Sequence, residues 1–231
     1  MNSLPIRTFR ARVLWVDAGL LGLSVLLGWI LQAEPDALFA EGGVVTFLSA
    51  GHLILTGWLL YRVAKVRSAA KASRIWSLMA LGFIYLAFDE TLKLHEGIDD
   101  AAHYLLGWEP TDLTDRLDDM IVGLYGLLGL GLMAFYRNEL KQYKSSLWFL
   151  FVGMLFLYLM VALDTLINRD NLLILVLETN QISRAIPWLE VCEEASKIIS
   201  EAFLVIAAYE ALRVARRITL GVVESGPHIF R

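Results

Sequence analysis

Residues 188–212 read WLEVCEEASKIISEAFLVIAAYEAL, a stretch long enough to cross a membrane that nevertheless carries several charges. About 20 mostly apolar residues are needed to span a hydrocarbon core about 30 Å thick. In a helix, one face of this stretch collects Glu190, Glu194, Lys197 and Glu201 as a single polar stripe. A charged side chain inside a bilayer costs several kcal/mol unless it is paired or neutralised. This face is therefore predicted to point into the interior of a helical bundle.

The overall composition also indicates a membrane protein. Of the 231 residues 57% are apolar, with a mean hydropathy of +0.58, whereas soluble domains are usually about 45–50% apolar. The net charge of -4 and the lack of basic clusters interleaved with aromatic residues argue against a nucleic-acid partner. The single Cys192 excludes an intrachain disulfide framework.

Five further stretches have the length and apolar content of a membrane span. We therefore predict an all-α polytopic membrane protein in which residues 1–231 form one domain and six transmembrane helices form one bundle. The predicted spans are 13–33, 43–62, 75–96, 118–137, 146–168 and 188–212. The segments 97–117 and 169–187 contain apolar residues but are predicted to be outer loops that lie at the membrane interface.

The basic residues predict the orientation of these spans. Fifteen of the 20 Lys and Arg residues lie in stretches that would face one side of the membrane, and three lie in stretches that would face the other. Stretches rich in Lys and Arg stay in the cytoplasm. Both termini are therefore predicted to be cytoplasmic, and the protein is predicted to lie in a bacterial cytoplasmic membrane.

With this orientation, five spans bring polar side chains to the outer half of the membrane. The second span contributes a stripe of Ser49, His52 and Thr56. The acidic residues on the other four spans are Asp89, Glu90, Glu96, Asp118, Asp119, Asp164, Glu190, Glu193, Glu194 and Glu201. Lys93 and Lys197 are the predicted charge-balancing residues, each four residues from an acid, a spacing that favours ion pairs on a helix. Two lysines leave most of the acids without a counter-charge.

This deficit predicts a bound cation or shared protons on the extracytoplasmic side. Carboxylates with an imidazole suit Zn, Mn or Fe better than Ca or Mg. The paired Glu-x-x-His motifs of di-iron bundles do not occur in the sequence. The predicted catalytic residues are Asp89, Glu90 and Glu194, and the predicted ligands of a divalent metal ion are His52, Glu90, Glu96, Asp164, Glu194 and Glu201.

Three functions fit these features. We favour a metal-dependent membrane hydrolase or oxidoreductase, in which the cation polarises a lipid or other apolar substrate or activates water and a carboxylate acts as the base. The second is a proton- or cation-coupled transporter or channel, in which the same acids form a relay. The third is a non-catalytic subunit of a membrane complex. The same features also fit a protein that forms a homo-oligomer.

The stretch FDETLKLHE at 88–96, together with Glu193 and Glu194 on a late span, carries a further signal. It resembles an Asp-Glu-x4-His-Glu pattern of uncharacterised bacterial multi-pass membrane proteins, a resemblance that implies no activity. On a continuous helix His95 is expected to point away from Asp89.

The fourth span has a run of small residues, Gly123, Gly126, Gly129 and Gly131. Small residues let the backbones of two membrane helices approach closely. The run therefore predicts a close helix contact on this span.

Overall fold

The computed structural model describes residues 5–31, 36, 38–39, 43–68, 70–107, 117–168, 173–174 and 178–221. All regular secondary structure in these residues is helical, which confirms the predicted all-α class. A 3-10 turn, Lys141–Tyr143, precedes the seventh helix. In chain order the helices are α1 (Ile6–Ile30), α2 (Val44–Val66), α3 (Ala70–Leu92), α4 (Leu94–Leu106), α5 (Leu117–Phe135), α6 (Arg137–Leu140), α7 (Lys144–Ile167) and α8 (Thr179–Thr219).

Four helical stretches are long and apolar enough to cross a membrane. They are Ile6–Ile30, Val44–Val66, Ala72–Leu92 and Arg137–Ile167, and they overlap the first, second, third and fifth predicted spans. The fourth predicted span corresponds to α5, whose apolar part, Met120–Phe135, is shorter. The sixth predicted span lies within α8, where the charged residues interrupt the apolar sequence.

Large apolar side chains cover the outer surface of these helices. Trp15 on α1, Leu81 on α3 and Tyr158 on α7 are 77%, 67% and 68% exposed. Extended apolar surface of this kind is typical of a protein face that meets lipid or a partner. The helices are therefore suited to a membrane location.

Helix α8 is the central element of the bundle. At about 1.5 Å per residue, its 41 residues extend for about 60 Å. Helices α1, α2 and α7 pack along it, and α3 packs on α2. The main apolar core joins Val205, Ala208 and Leu212 of α8 to Val63 of α2 and Trp76 of α3.

Two glycines lie at close helix crossings. A Cβ atom added to Gly153 of α7 would lie 3.1 Å from the carbonyl oxygen of Ser200 on α8, and one added to Gly57 of α2 would lie 3.0 Å from Ile84 of α3. By contrast, apart from the nearby residues of α5 itself, no described atom lies within 4 Å of the Cβ position at any glycine in the α5 run. The close contact predicted for that run is therefore not formed within the described part of the chain.

The third predicted span ends earlier than the sequence indicates. Helix α3 stops at Leu92, and Lys93 adopts a left-handed conformation with a φ of 53° before α4 begins. Asp89 caps the new helix, because its Oδ1 accepts a 2.9 Å hydrogen bond from the backbone N–H of His95. The face that would carry Asp89, Lys93 and Glu96 on one continuous helix is interrupted.

Both predicted outer loops are partly helical. Most of the described part of the first loop belongs to α4, which exposes Tyr104 and Leu105. In the second, α8 already begins at Thr179, because Glu178 and Gln181 form a reciprocal capping box at its N-terminus. Residues 108–116, 169–172 and 175–177 of these loops lie outside the described residues.

Candidate functional site

Three helices bring an aspartate, a histidine and a glutamate together in the interior of the bundle. The Nε2 atom of His52 lies 3.2 Å from Oδ1 of Asp17, and its Nδ1 atom lies 3.7 Å from Oε2 of Glu201. Ser49 donates a 2.6 Å hydrogen bond from its hydroxyl to Oε1 of Glu201. We call Asp17, Ser49, His52 and Glu201 the His52 cluster; each is at most 7% exposed.

Helical periodicity explains how α2 contributes to this cluster. Ser49, His52 and Thr56 are three and four residues apart and therefore share one face, and the structure buries all three. Asp17 comes from α1, where it is the single acid in an otherwise largely apolar helix. It was not among the predicted site residues, and an isolated acid in an apolar helix is the signal that could have found it.

Several buried nitrogen and oxygen atoms of the His52 cluster are available to bind a proton. A neutral imidazole donates from one ring nitrogen and accepts at the other, so two flanking carboxylates require a shared or additional proton. Within the described residues, His52 Nδ1, Asp17 Oδ2 and Glu201 Oε2 are buried without a hydrogen-bond partner. The cluster therefore has buried atoms at which a proton can be bound or shared.

A second group of charges, which we call the Lys197 cluster, lies one turn away on α8. The Nζ atom of Lys197 is 2.7 Å from Oε1 of Glu90 on α3 and 3.4 Å from Oε2 of Glu194. All three side chains are 20% exposed. Because Glu201 follows Lys197 by four residues, the α8 stripe connects the Lys197 cluster to the His52 cluster over a rise of about 6 Å.

The helix break at Lys93 forms an aspartate–histidine pair. Asp89 is buried, and its Oδ2 lies 2.9 Å from Nδ1 of His95. The expectation that His95 points away from Asp89 assumed a continuous helix and is wrong. The left-handed residue between α3 and α4 turns the chain back, so that both the backbone and the ring of His95 contact Asp89.

The remaining predicted site residues make other contacts. The Oε2 atom of Glu96 is 3.3 Å from Nζ of Lys93, and Oδ1 of Asp164 accepts a 2.7 Å hydrogen bond from Asn168. The side chains of Asp118 and Asp119 lie outside the described residues.

The predicted metal ligands are divided between separate groups. His52 and Glu201 belong to one cluster, and Glu90 and Glu194 to the other. In the part of the chain that the structure describes, no three His, Cys, Asp or Glu side chains are grouped so as to hold a metal ion. In the His52 cluster the reason is geometric, since the two carboxylates approach different ring nitrogens.

Comparison with known sequences places the chain in a family. Residues 13–211 match a family described as a domain of unknown function, DUF8692. The chain belongs to the DUF8692 family. The matched residues run from α1 into α8, so the DUF8692 region contains both clusters. No curated protein and no solved structure matches the chain.

The DUF8692 region also contains a polar contact that sequence reasoning missed. Arg67, directly after α2, donates hydrogen bonds of 2.9 and 3.0 Å to the two carboxylate oxygens of Glu139 in α6. Trp76 and Tyr143 donate to the same carboxylate at 3.4 and 3.2 Å. The hydrogen bond to Glu139 raises the pKa of Arg67 above its ordinary value. Local periodicity carries no signal for a pair 72 residues apart.

Proposed function

We propose that this member of the DUF8692 family is a membrane protein that carries protons across the membrane through the His52 cluster as its helices rearrange. The observation that carries the proposal is the position of His52 between two buried carboxylates, one at each ring nitrogen. An imidazole can accept a proton at one nitrogen and release another proton from the second. A carboxylate–imidazole–carboxylate chain inside apolar helices therefore supports proton transfer better than it supports metal binding.

In the proposed transfer, His52 gains one proton and releases another. A proton carried by Glu201 Oε2 passes to Nδ1 of His52, while the proton on Nε2 passes to Oδ1 of Asp17. The 3.7 Å distance between Nδ1 and Oε2 requires a small approach or a bridging water molecule. Ser49 holds the other oxygen of Glu201, so that Oε2 stays directed at the ring.

The distribution of polar residues along α8 favours gated proton passage over an open channel. The Lys197 cluster is partly exposed and lies on the N-terminal side of Glu201. On the other side, residues 202–209 read AFLVIAAY before Glu210 supplies the next charge. An apolar stretch of about 12 Å would block free passage of protons until the helices rearrange.

We further propose that all six predicted spans cross a bacterial cytoplasmic membrane. The 19 residues of α5 reach about 28 Å, close to the thickness of a hydrocarbon core. Helix α8 is more than long enough, and its charged side chains Lys197 and Glu201 contact Glu90 of α3 and Ser49 and His52 of α2. The excess of basic residues in alternate loops supports cytoplasmic termini and a Lys197 cluster that opens to the extracytoplasmic side.

Proton movement can be measured directly in vesicles. The purified protein is placed in phosphatidylcholine vesicles that contain a pH-sensitive dye, and a potassium diffusion potential drives protons inward. We expect faster acidification than in protein-free vesicles, and a reduction of about tenfold or more in His52→Gln, which lacks a titratable ring.

His103→Gln is the matched control, since His103 lies on α4 outside both clusters. It should acidify the vesicles as fast as the unaltered protein. A rate for the unaltered protein equal to that of protein-free vesicles would rule out the proposal.

Three predictions from the sequence stay predictions. They are a metal-dependent enzyme that acts on a lipid, a subunit of a membrane complex, and a homo-oligomer. Elemental analysis of protein purified without added metal distinguishes the enzyme from the proton-coupled transporter. A stoichiometric metal that is lost in an Asp89→Asn/Glu194→Gln variant would favour the enzyme.

A further inference from the structure

We propose that one exposed face of α2 binds the head group of an anionic phospholipid. This face carries Trp58, Tyr61, Arg62 and Lys65 near the C-terminal end of the helix, and we call it the α2 basic face. Neighbouring members lie three or four residues apart along two overlapping rows, so their side chains leave the same side of the helix. The proposal rests on the membrane location proposed for α2 and does not depend on proton transfer.

Each cation of the α2 basic face lies against an aromatic ring one turn earlier in the helix. The guanidinium carbon of Arg62 is 5.3 Å from the centre of the Trp58 ring, and Nζ of Lys65 is 5.2 Å from the centre of the Tyr61 ring. A cation within about 6 Å of a ring centre is attracted to the face of the ring. These contacts hold two long side chains in place, which reduces the conformational entropy that is lost when a ligand binds.

Both positive charges remain available to an anion. Arg67, Lys197 and Arg213 are paired with carboxylates at 2.9, 2.7 and 2.8 Å. No acid of the described residues forms such a pair with Arg62 or Lys65. A guanidinium has five N–H donors and an ammonium has three, and side chains three residues apart on a helix are about 5–6 Å from each other. The two cations can therefore contact different oxygens of one phosphate.

The surface next to these cations is apolar and exposed. Trp58 and Tyr61 are 49% and 48% exposed, and Ile54, one turn further into the apolar part of α2, is 52% exposed. A phospholipid has its groups in the same order, with a phosphate, a glycerol region and an acyl chain. Its phosphate would meet the cations, the glycerol region would meet the aromatic rings, and the chain would cover the aliphatic surface. A free phosphate ion would use only the first of these contacts.

The position of the α2 basic face along the helix agrees with the depth of a lipid head group. At 1.5 Å per residue, Arg62 lies about 27 Å from Val44 at the start of α2, and a hydrocarbon core is about 30 Å thick. In the proposed orientation this end of α2 faces the cytoplasm. Anionic lipids give the cytoplasmic leaflet a negative surface potential that attracts basic residues.

Native mass spectrometry of the full-length protein can count bound lipids directly. Protein in detergent micelles is titrated with dioleoylphosphatidylglycerol and, separately, with dioleoylphosphatidylcholine, which has the same chains and no net charge. We expect the first phosphatidylglycerol to bind about tenfold more tightly than phosphatidylcholine. Arg62→Gln/Lys65→Gln should remove this preference. Glycerol phosphate should not compete with phosphatidylglycerol, because it lacks the acyl chains.

The matched control is Lys141→Gln/Lys144→Gln. It removes the same charge with the same spacing from the start of α7 and the turn before it, on the same predicted side of the membrane. Neither lysine lies over an aromatic ring of the described residues, so the control should keep the preference for phosphatidylglycerol. Trp58→Leu/Tyr61→Leu keeps both charges but removes the rings, and should weaken phosphatidylglycerol binding by about threefold.

Three results would overturn the proposal. They are equal binding of the two lipids by the unaltered protein, unchanged phosphatidylglycerol binding in Arg62→Gln/Lys65→Gln, and an equal loss of the preference in Lys141→Gln/Lys144→Gln. The titration uses no proton gradient, so its failure is distinguishable from a failure of the acidification assay in vesicles.

Discussion

Lys197 shows how one side chain holds two carboxylates at a helix contact. It lies 2.7 Å from Glu90 and 3.4 Å from Glu194. Helical spacing predicted that Lys197 would pair with acids on its own helix, but it could not predict that α3 supplies the shorter contact. Pairing between helices depends on which two faces meet. The spacing of residues along one helix shows which residues share a face but not which helix packs against that face.

Replacing Lys197 leaves these carboxylates without their counter-charge. We expect Lys197→Met to lower the free energy of unfolding by up to about 3 kcal/mol, as for other ion pairs that lose one partner in a protected position. Denaturation in detergent measures the loss. Adding Glu90→Gln should recover part of it, because one of the two uncompensated charges is gone. Additive losses in the double variant would show that the two residues are not coupled.

Asp17 and His95 illustrate two different limits of sequence analysis. Asp17 was visible as an acid in an apolar helix, but nothing in α1 indicated that its partner is His52 on α2. The expected direction of His95 is wrong because it requires a helix that continues through Lys93, where the chain instead turns. A lysine in a left-handed conformation has no sequence signature, since glycine is the residue that usually adopts it.

At the scale of the helices, the break between α3 and α4 depends on Asp89. Asp89→Ala removes the acceptor for the backbone N–H of His95, and losing such a cap typically costs about 1 kcal/mol. We expect faster amide hydrogen exchange in residues 94–106, measured by mass spectrometry. Asp89→Asn keeps an oxygen acceptor at the same position and should exchange nearly as slowly as the unaltered protein. Equal exchange in Asp89→Ala would contradict the capping role.

The crossing of α7 and α8 depends on the missing side chain of Gly153. Gly153→Ala places a methyl group about 3 Å from a backbone carbonyl, and such overpacking typically costs about 1–3 kcal/mol. The Tm in detergent should fall. Gly126→Ala on α5 is the control, because no described atom outside the nearby residues of α5 lies within 4 Å of its Cβ position, and its Tm should not fall. The reverse order of Tm values would show that α7 and α8 are not this close.

The glycines of α5 show why composition alone cannot locate a helix contact. A run of small residues permits close approach, yet the close crossings in the described residues use single glycines on α2 and α7. Hydropathy located the apolar helices well, because burial in lipid acts on each segment separately. Which helices touch is decided by complementary surfaces on two segments at once.

For the whole molecule, the central expectation is the orientation of the spans. In a Cys192→Ser background, Asp100→Cys reports on the predicted outer loop and Asn138→Cys on the predicted inner turn. A membrane-impermeant maleimide should label Asp100→Cys in spheroplasts, whereas Asn138→Cys should react only after the membrane is permeabilised. Labelling of both without permeabilisation would contradict the proposed orientation.

The fold class could be read from the sequence because an apolar content of 57% and span-length segments strongly restrict the choice of architecture. The site was predicted less completely. Helical spacing on α2 predicted the shared face of Ser49, His52 and Thr56, which the structure buries. It could not predict how the acids divide between the His52 cluster, the Lys197 cluster and the Asp89–His95 pair, because those contacts join different helices or follow the break at Lys93.

The late position of α8 in the chain has a consequence for biogenesis. His52 and Glu90 are synthesised and inserted long before their partners Glu201 and Lys197 on α8 leave the ribosome. Until then, these side chains have none of their α8 partners, and exposure of such groups to lipid is costly. Nascent chains that stall before residue 194 should therefore remain associated with the insertion machinery or be degraded, and release should follow only when the last helix docks.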